Sequence, residues 1–195
     1  RDQKFNPDPT LIRSLCERKR GIGADGLITL ELGDLAPFRM RIFNADGYEA
    51  EMCGNGLRCF KKFLVERGVS ENSVLVQTKE RLLRVTDLEG KIKASMGAPT
   101  ELKLDIELEP GYKVDFINTG VPHAVRFVES VEAIDVEKEG SFIRRHPLFY
   151  PRGANANFVE VRDGELHIRT FERGVEGETL ACGTGMTAAA CLAAL

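Results

Sequence analysis

Two short stretches of the chain are built alike, and they constrain the fold more than any other feature. "EMCGNGLRCF" spans residues 51–60 and "LACGTGMTAA" spans residues 180–189. In each, a cysteine precedes Gly-polar-Gly and a helical pattern follows. The likeness extends upstream. "RIFNADGYEAEMCGNG" lies against "RTFERGVEGETLACGTG", with Arg41 on Arg169, Phe43 on Phe171 and a single gap bringing Cys53 onto Cys182. Farther upstream, "GIGADGLITL" lies against "RGANANFVEV". Such an internal match predicts a tandem duplication, each copy a β-rich unit wrapped on one helix. The boundary falls near "MGAPTE", residues 96–101, where Gly and Pro interrupt the strands. The expected fold is α/β (α+β) with two pseudo-symmetric domains. Residues 1–98 carry Cys53 and residues 99–195 carry Cys182.

Local patterns fill in the copies. Residues 9–20 predict a helix with Asp8 as cap, Pro9 in the first turn and Gly21 as its close. "GLITLEL" (26–32) and "FRMRIF" (38–43) read as strands. From Cys53 to Gly68 the pattern is helical, with Leu57, Phe60, Phe63 and Leu64 on one face. Residues 73–78, 82–88 and 91–96 read as strands, with Glu89-Gly90 as a hairpin turn, and 102–108 alternates strictly. In the second copy, 157–161 and 166–171 are strands joined by Asp163-Gly164.

Composition narrows the function classes. The net charge of −3 gives no reason to expect nucleic acid or a membrane surface as partner. No apolar run approaches the roughly 20 residues of a membrane helix. Five cysteines without compact spacing argue against a disulfide framework and for a reducing compartment. The three histidines, His123, His146 and His167, are scattered, so no metal site is expected. The chain opens on Arg1 and stops at Leu195 within a helical pattern, so a fragment lacking both chain ends is expected.

The repeated turn carries chemistry. A thiol at a helix N-terminus meets free N–H groups and partial positive charge, which lower its pKa from about 8.5. The glycines admit a ligand close to the backbone, and the N–H groups beyond them can hold a carboxylate. Two such turns on either side of one small anion suit inversion of a stereocentre. One thiolate removes a proton from one face, and the opposite thiol returns one to the other. The scheme requires no pyridoxal phosphate or other cofactor. The plainer reading of a cysteine is a small buried hydrophobe, and Cys16, Cys59 and Cys191 take it because each falls in a helical pattern. His123 reads either as a surface residue after a Pro turn or as a tuner of a thiol. Asn44, Asn155 and Asn157 can be turn residues, and Glu172-Arg173 an exposed charge pair.

The stretches "GIGADGL", "FNADGYEAEMCGNGLRC", "NTGVPH", "GANANFVEV" and "FERGVEGETLACGTG", from residue 21 to residue 185, resemble the diaminopimelate epimerases, a cofactor-independent two-cysteine racemase group. The resemblance implies two similar domains, each a β-barrel-like sheet around a central helix, with the site in the cleft between them. It implies epimerisation of LL- to meso-diaminopimelate in lysine and peptidoglycan biosynthesis, in a cytoplasmic homodimer. It makes Cys53 and Cys182 the acid/base pair, tuned by His123 and Glu172. Gly54, Asn55, Gly183 and Thr184 would hold the reacting carboxylate through backbone N–H groups, and Asn44, Asn155, Glu172 and Arg173 the distal end. Three departures stand out. Val121 occupies the place of an Asn in many members. Gly26 occupies the place of a Gln in some, and the usual N-terminal Gly-Asn-Asp-Phe segment is absent. Two alternatives are a proline or hydroxyproline racemase and a thiol redox switch. The first commonly has Cys-Gly-His-Gly where this chain has Asn55. A non-catalytic binding module is a third.

Overall fold

The first helix opens on its cap. In the computed structural model, which describes residues 6–195, the Asp8 carboxylate accepts the Thr10 N–H at 2.9 Å. This helix, α1 (Pro9–Cys16), buries Ile12 and Cys16. It stops at Cys16, short of the expected end at Arg20. Glu17 turns extended and its carboxylate accepts the N–H groups of Lys19 and Arg20, competing with the helical ladder.

The chain divides between Met96 and Gly97 into two compact units. In the first, β1 (Gly26–Leu32) and β2 (Phe38–Asn44) form an antiparallel hairpin, and the short β3 (Glu49–Ala50) pairs antiparallel with β2. After α2 (Gly54–Glu66) come β4 (Ser73–Gln77), β5 (Leu82–Leu88) and β6 (Lys91–Ala94). β4 runs parallel to β2 and antiparallel to β5, so the sheet is mixed, in the order β1-β2-β4-β5-β6. Leu57, Phe60 and Leu64 of α2 pack on Met40, Ile42, Val76 and Val85. Phe43 alternates to the other face and packs on Ile12 and Cys16 of α1. Phe63 departs from the expected stripe. It is 39% exposed with the Arg67 guanidinium 4.8 Å from its ring, because the helical stripe is filled by Leu57, Phe60, Lys61 and Leu64. Buried Lys61 donates to the Glu71 carbonyl at 2.7 Å. α2 closes at Gly68, φ 88°, with the Val69 N–H on the Leu64 carbonyl.

The second unit comprises β7 (Thr100–Glu109), β8 (Tyr112–Asn118), β9 (Pro122–Phe127), α3 (Val136–Arg145), β10 (Asn155–Arg162), β11 (Glu165–Glu172), β12 (Gly177–Thr179) and α4 (Gly183–Ala193). The sheet runs β12-β11-β10-β9-β8-β7, parallel only between β9 and β10. α4 covers one face, with Ala188, Ala189 and Leu192 on Ile117, Val125 and Val159. α3 covers the other, with Val136 and Ile143 on Phe116, Ala124, Phe158 and Phe171. The strict alternation of 102–108 does mark a strand, but β7 is a bulged edge. Glu101 and Asp105 take positive φ, the register shifts, and Leu102 and Leu104 stay exposed. Among the described residues no helix is long and apolar enough to cross a membrane.

Each unit repeats one local order: antiparallel hairpin, short third strand, cysteine, helix. Register refines the match, since Phe43 opposes Leu27 while Phe171 opposes Ala156. Leu27 therefore corresponds to Ala156, not to Phe158 as linear alignment suggests. The repeat reaches side chains. Arg41 Nε and Nη2 donate to Glu49 at 3.2 and 2.8 Å, and Arg169 Nε and Nη2 donate to Glu178 at 2.7 and 2.7 Å. In each unit this two-point clamp ties the hairpin to the short strand that leads into the cysteine. The Arg169 hydrogen bond holds the Glu178 carboxyl below the ordinary glutamate range. A depressed carboxyl contributes stability above its unfolded pKa and loses it as pH falls through the folded value. Glu178→Gln is expected to cost about 0.5–1.5 kcal/mol at neutral pH, since both partners are partly solvated. Urea midpoints of the two proteins should converge as pH drops below the glutamate range.

Candidate active site

Cys53 caps α2 from an extended conformation (φ −144°, ψ 117°), and its Sγ accepts the Gly56 N–H at 3.3 Å. Cys182 holds the N-cap position of α4 in the same extended conformation (φ −118°, ψ 107°), but its Sγ makes no cap bond to a helix N–H and lies instead 3.4 Å from Thr184 Oγ1. Both sulfurs thus stand at the positive end of a helix. An N–H donated to sulfur favours the thiolate at Cys53. The Thr184 hydroxyl can donate to a thiolate or accept from a thiol, so it serves either state of Cys182. Gly54 and Asn55, and Gly183 and Thr184, form the first turns behind the two caps. The Asn55 side chain accepts from the Arg58 guanidinium. A side chain at Gly56 would put Cβ 2.8 Å from Ile42 Cδ1, and one at Gly185 would put it 2.4 Å from Asn157 Oδ1. In both units glycine lets the cysteine turn lie directly on the hairpin.

The other cysteines divide. Cys16 is buried as expected, and burial pushes its thiol pKa up. Cys59 is exposed, so it is not the buried hydrophobe its helical pattern suggested, while Cys191 is half-buried and packs against the core beneath α4.

In the second unit, alternation sets His123, Asn155, Asn157, Thr170 and Glu172 on the α4 face of the sheet, beside Val125 and Val159. His123 is fully buried rather than a surface residue, and burial pushes its pKa down to about 3. Its ring meets the Asn157 amide at 3.0 Å. Asn155 Oδ1 accepts the Arg173 N–H at 2.8 Å, which leaves its NH2 as the group it can present to an acceptor. Glu172 accepts from the Thr179 hydroxyl across the β11–β12 pair. The Thr119 hydroxyl donates to the Thr184 carbonyl at 2.9 Å, tying the 118–122 loop to the first turn of α4. Val121 is buried in that loop.

In the first unit, Asn44 ends β2 opposite Gly26, and its backbone closes the turn with Gly47 and Tyr48. An added Cβ at Gly26 would meet the Phe43 carbonyl oxygen at 2.5 Å, so glycine serves backbone approach here. Sequence reasoning gave Asn157 no role beyond a turn and passed over Thr119, Thr170 and Thr179. For Asn157 part of the signal was present, since Asn155 and Asn157 recur at period two at the start of a strand pattern. A cleft of about 410 Å³ in the second unit, lined by residues including Phe116, Phe149, Tyr150 and Arg152, contains none of the candidate site residues.

The family model for diaminopimelate epimerase matches residues 1–102 and 116–195, through both cysteine turns. This chain belongs to the diaminopimelate epimerase family. The members are isomerases, and two relatives that bear the name are close. One, from Methanocella arvoryzae, is 42% identical over 98% of this chain and 76% of its own length. Another, from Aquifex aeolicus, is 45% identical over 92% of this chain and 67% of its own length. The chain therefore spans about two thirds to three quarters of these diaminopimelate epimerases. A solved structure, a probable proline racemase from Agrobacterium radiobacter K84, superposes with a TM-score of 0.68. It is 21% identical, over 93% of this chain and 64% of the other. That likeness is one of fold alone.

Proposed function

We propose that the protein interconverts LL- and meso-2,6-diaminopimelate by passing the α-proton between two cysteines, on the route to lysine and peptidoglycan precursors. One observation carries the reading: the same glycine-rich turn, twice, with Cys53 and Cys182 each at the N-cap of a helix. A thiolate takes the α-proton from one face of the carbon, and the thiol of the other cysteine delivers a proton to the opposite face. The roles exchange in the reverse direction.

The obstacle is acidity, because a carbon-bound proton beside a carboxylate is far less acidic than a thiol. The carbanion must be stabilised as charge moves into the carboxylate. Backbone N–H groups at Gly54, Asn55, Gly183 and Thr184 are suited to this, since they are preorganised donors at positive helix ends. The distal amino-acid end falls to Asn44, Asn155, Glu172 and Arg173. Arg matches a carboxylate and Glu an ammonium, while Asn155, its Oδ1 taken by the Arg173 N–H, has its NH2 to offer an acceptor. Glu172, held by Thr179, and neutral His123 act on the cysteines without joining the proton path.

The test is incubation of the reduced full-length protein with LL-diaminopimelate, and separately with L-proline, with product stereochemistry read by chiral chromatography. Conversion of diaminopimelate alone is expected. Conversion of proline and not diaminopimelate would move the assignment to the racemases. Binding without conversion of either would leave a binding module.

A further inference from the structure

His123 is fully buried, and among the described residues its Nε2 has no partner. Its Nδ1 lies 3.0 Å from Asn157 Nδ2. The Asn157 amide decides which ring nitrogen carries the proton. Asn157 Nδ2 also lies 3.1 Å from the Ala124 carbonyl oxygen and 3.3 Å from that of Asn155, while its Oδ1 accepts from the Thr170 hydroxyl at 3.1 Å. A carbonyl cannot donate. Turned over, the amide would set its oxygen against two other oxygens. The NH2 therefore faces both carbonyls and the ring. An NH2 only donates, so Nδ1 must accept, and the ring proton sits on Nε2.

We propose that Asn157 is a positioning residue that locks His123 in the neutral Nε2–H form, making His123 a fixed hydrogen-bond donor to an anion and not an acid or base. Only the identity of that anion, a substrate carboxylate or a cysteine thiolate, rests on the proposed function. A buried donor with no partner in the protein is costly, and an anionic acceptor relieves the cost. Asn157 sits where this matters. Its Oδ1 lies where a Cβ on Gly185 would fall, so one amide both seats the Cys182 turn and orients the imidazole.

The surroundings keep the ring neutral. Burial holds its pKa down to about 3, and the charge of Arg173 adds to the effect. Around it, β8 sets Ile117 opposite, β10 supplies the uncharged Asn155 and Asn157, and α4 brings Cys182 and Thr184 to the same side of the sheet. Within β10 and β11, Asn157 and Thr170 form an uncharged chain that can neither give the ring a proton nor take one.

The experiment is a long-range 1H–15N spectrum of the full-length protein with labelled histidine, between about pH 5 and pH 9. His123 is expected to show protonated Nε2 and bare Nδ1 throughout. An Nδ1–H form, or titration within that range, overturns the proposal. This measurement needs no turnover, so it stands apart from the identity of the reaction. A shift of the Nε2 signal on thiol ionisation without ligand assigns a thiolate as acceptor. A shift only on adding diaminopimelate assigns a carboxylate. No shift in either case overturns the donor role.

Asn157→Asp places a carboxylate against Nδ1, which drives the ring to the Nδ1–H or charged form. With the neutral ring protonated on Nδ1, the Nε2 donor is lost and kcat is expected to fall about 100-fold or more; protonation to the charged ring, which restores Nε2–H, adds a histidine ionisation to the pH–rate profile. A purely structural role would reduce stability and leave that profile unchanged. If the variant does not fold, the wild-type spectrum still decides.

Discussion

Replacing Cys53 or Cys182 by serine is expected to lower epimerisation of LL-diaminopimelate by about 10²–10⁴-fold, the range for loss of a positioned acid or base. The fold should survive both changes. Each cysteine occupies the N-cap of its helix, and serine is among the preferred capping residues. A serine hydroxyl is also nearly isosteric with the thiol it replaces, so substrate binding should persist. What serine lacks is acidity, because its hydroxyl does not ionise near neutral pH. Melting curves close to wild type, retained binding of diaminopimelate and lost turnover in both directions form the expected set. A thiol switch would behave otherwise: a single serine would leave its reduced-state activity intact.

Phe171→Ala should cost about 3–5 kcal/mol of stability, the range for emptying a phenylalanine from a core. Phe171 is 2% exposed and sits between the sheet and α3. The fit is tight. A Cβ at Gly140 of α3 would lie 2.4 Å from Phe171 Cβ, so the helix rests on the ring with no side chain between them. Neither neighbour is free to collapse into the cavity, since β11 is pinned by β10 and β12. The converse change, Gly140→Ala, overpacks the same joint and should cost about 1–3 kcal/mol. Urea unfolding of the full-length protein measures both. A loss below about 1 kcal/mol for Phe171→Ala would mean that α3 is not seated on the sheet as described.

What was legible in the sequence was chemistry that acts within a few residues. Glu89-Gly90 and Asp163-Gly164 were readable as turns because all four residues take positive φ, which Gly90, Gly164 and Asp163 tolerate and which Glu89 adopts beside its glycine. The cysteine turns were readable because glycine follows at the same spacing in both copies. What escaped depends on distant partners or on local competition. α1 ends early because the Glu17 carboxylate finds nearby N–H groups, which periodicity does not register. α3 carries good signals, with Asp135 as cap, Glu137 and Glu139 in the first turn and Arg144 and Arg145 in the last. Gly140 in its middle hides them, and that glycine answers to Phe171, far along the chain. Asn157 read as a turn residue because nothing local reveals that its strand is buried on both faces. Its role appears only when β9, β10, β11 and α4 converge on it.

The central claim is inversion by two bases, and the isotope pattern in D2O tests it most directly. Reduced full-length protein would be given LL-diaminopimelate in D2O, with label at the α-carbon followed in substrate and product at early times. Two cysteines predict one solvent deuteron in each molecule of meso product while unreacted substrate keeps its protium. The deuteron comes from the second thiol, and the abstracted proton can only return to where it came from. Inversion that carries the substrate's own proton into the product, or deuterium entering substrate as fast as product, would contradict the account.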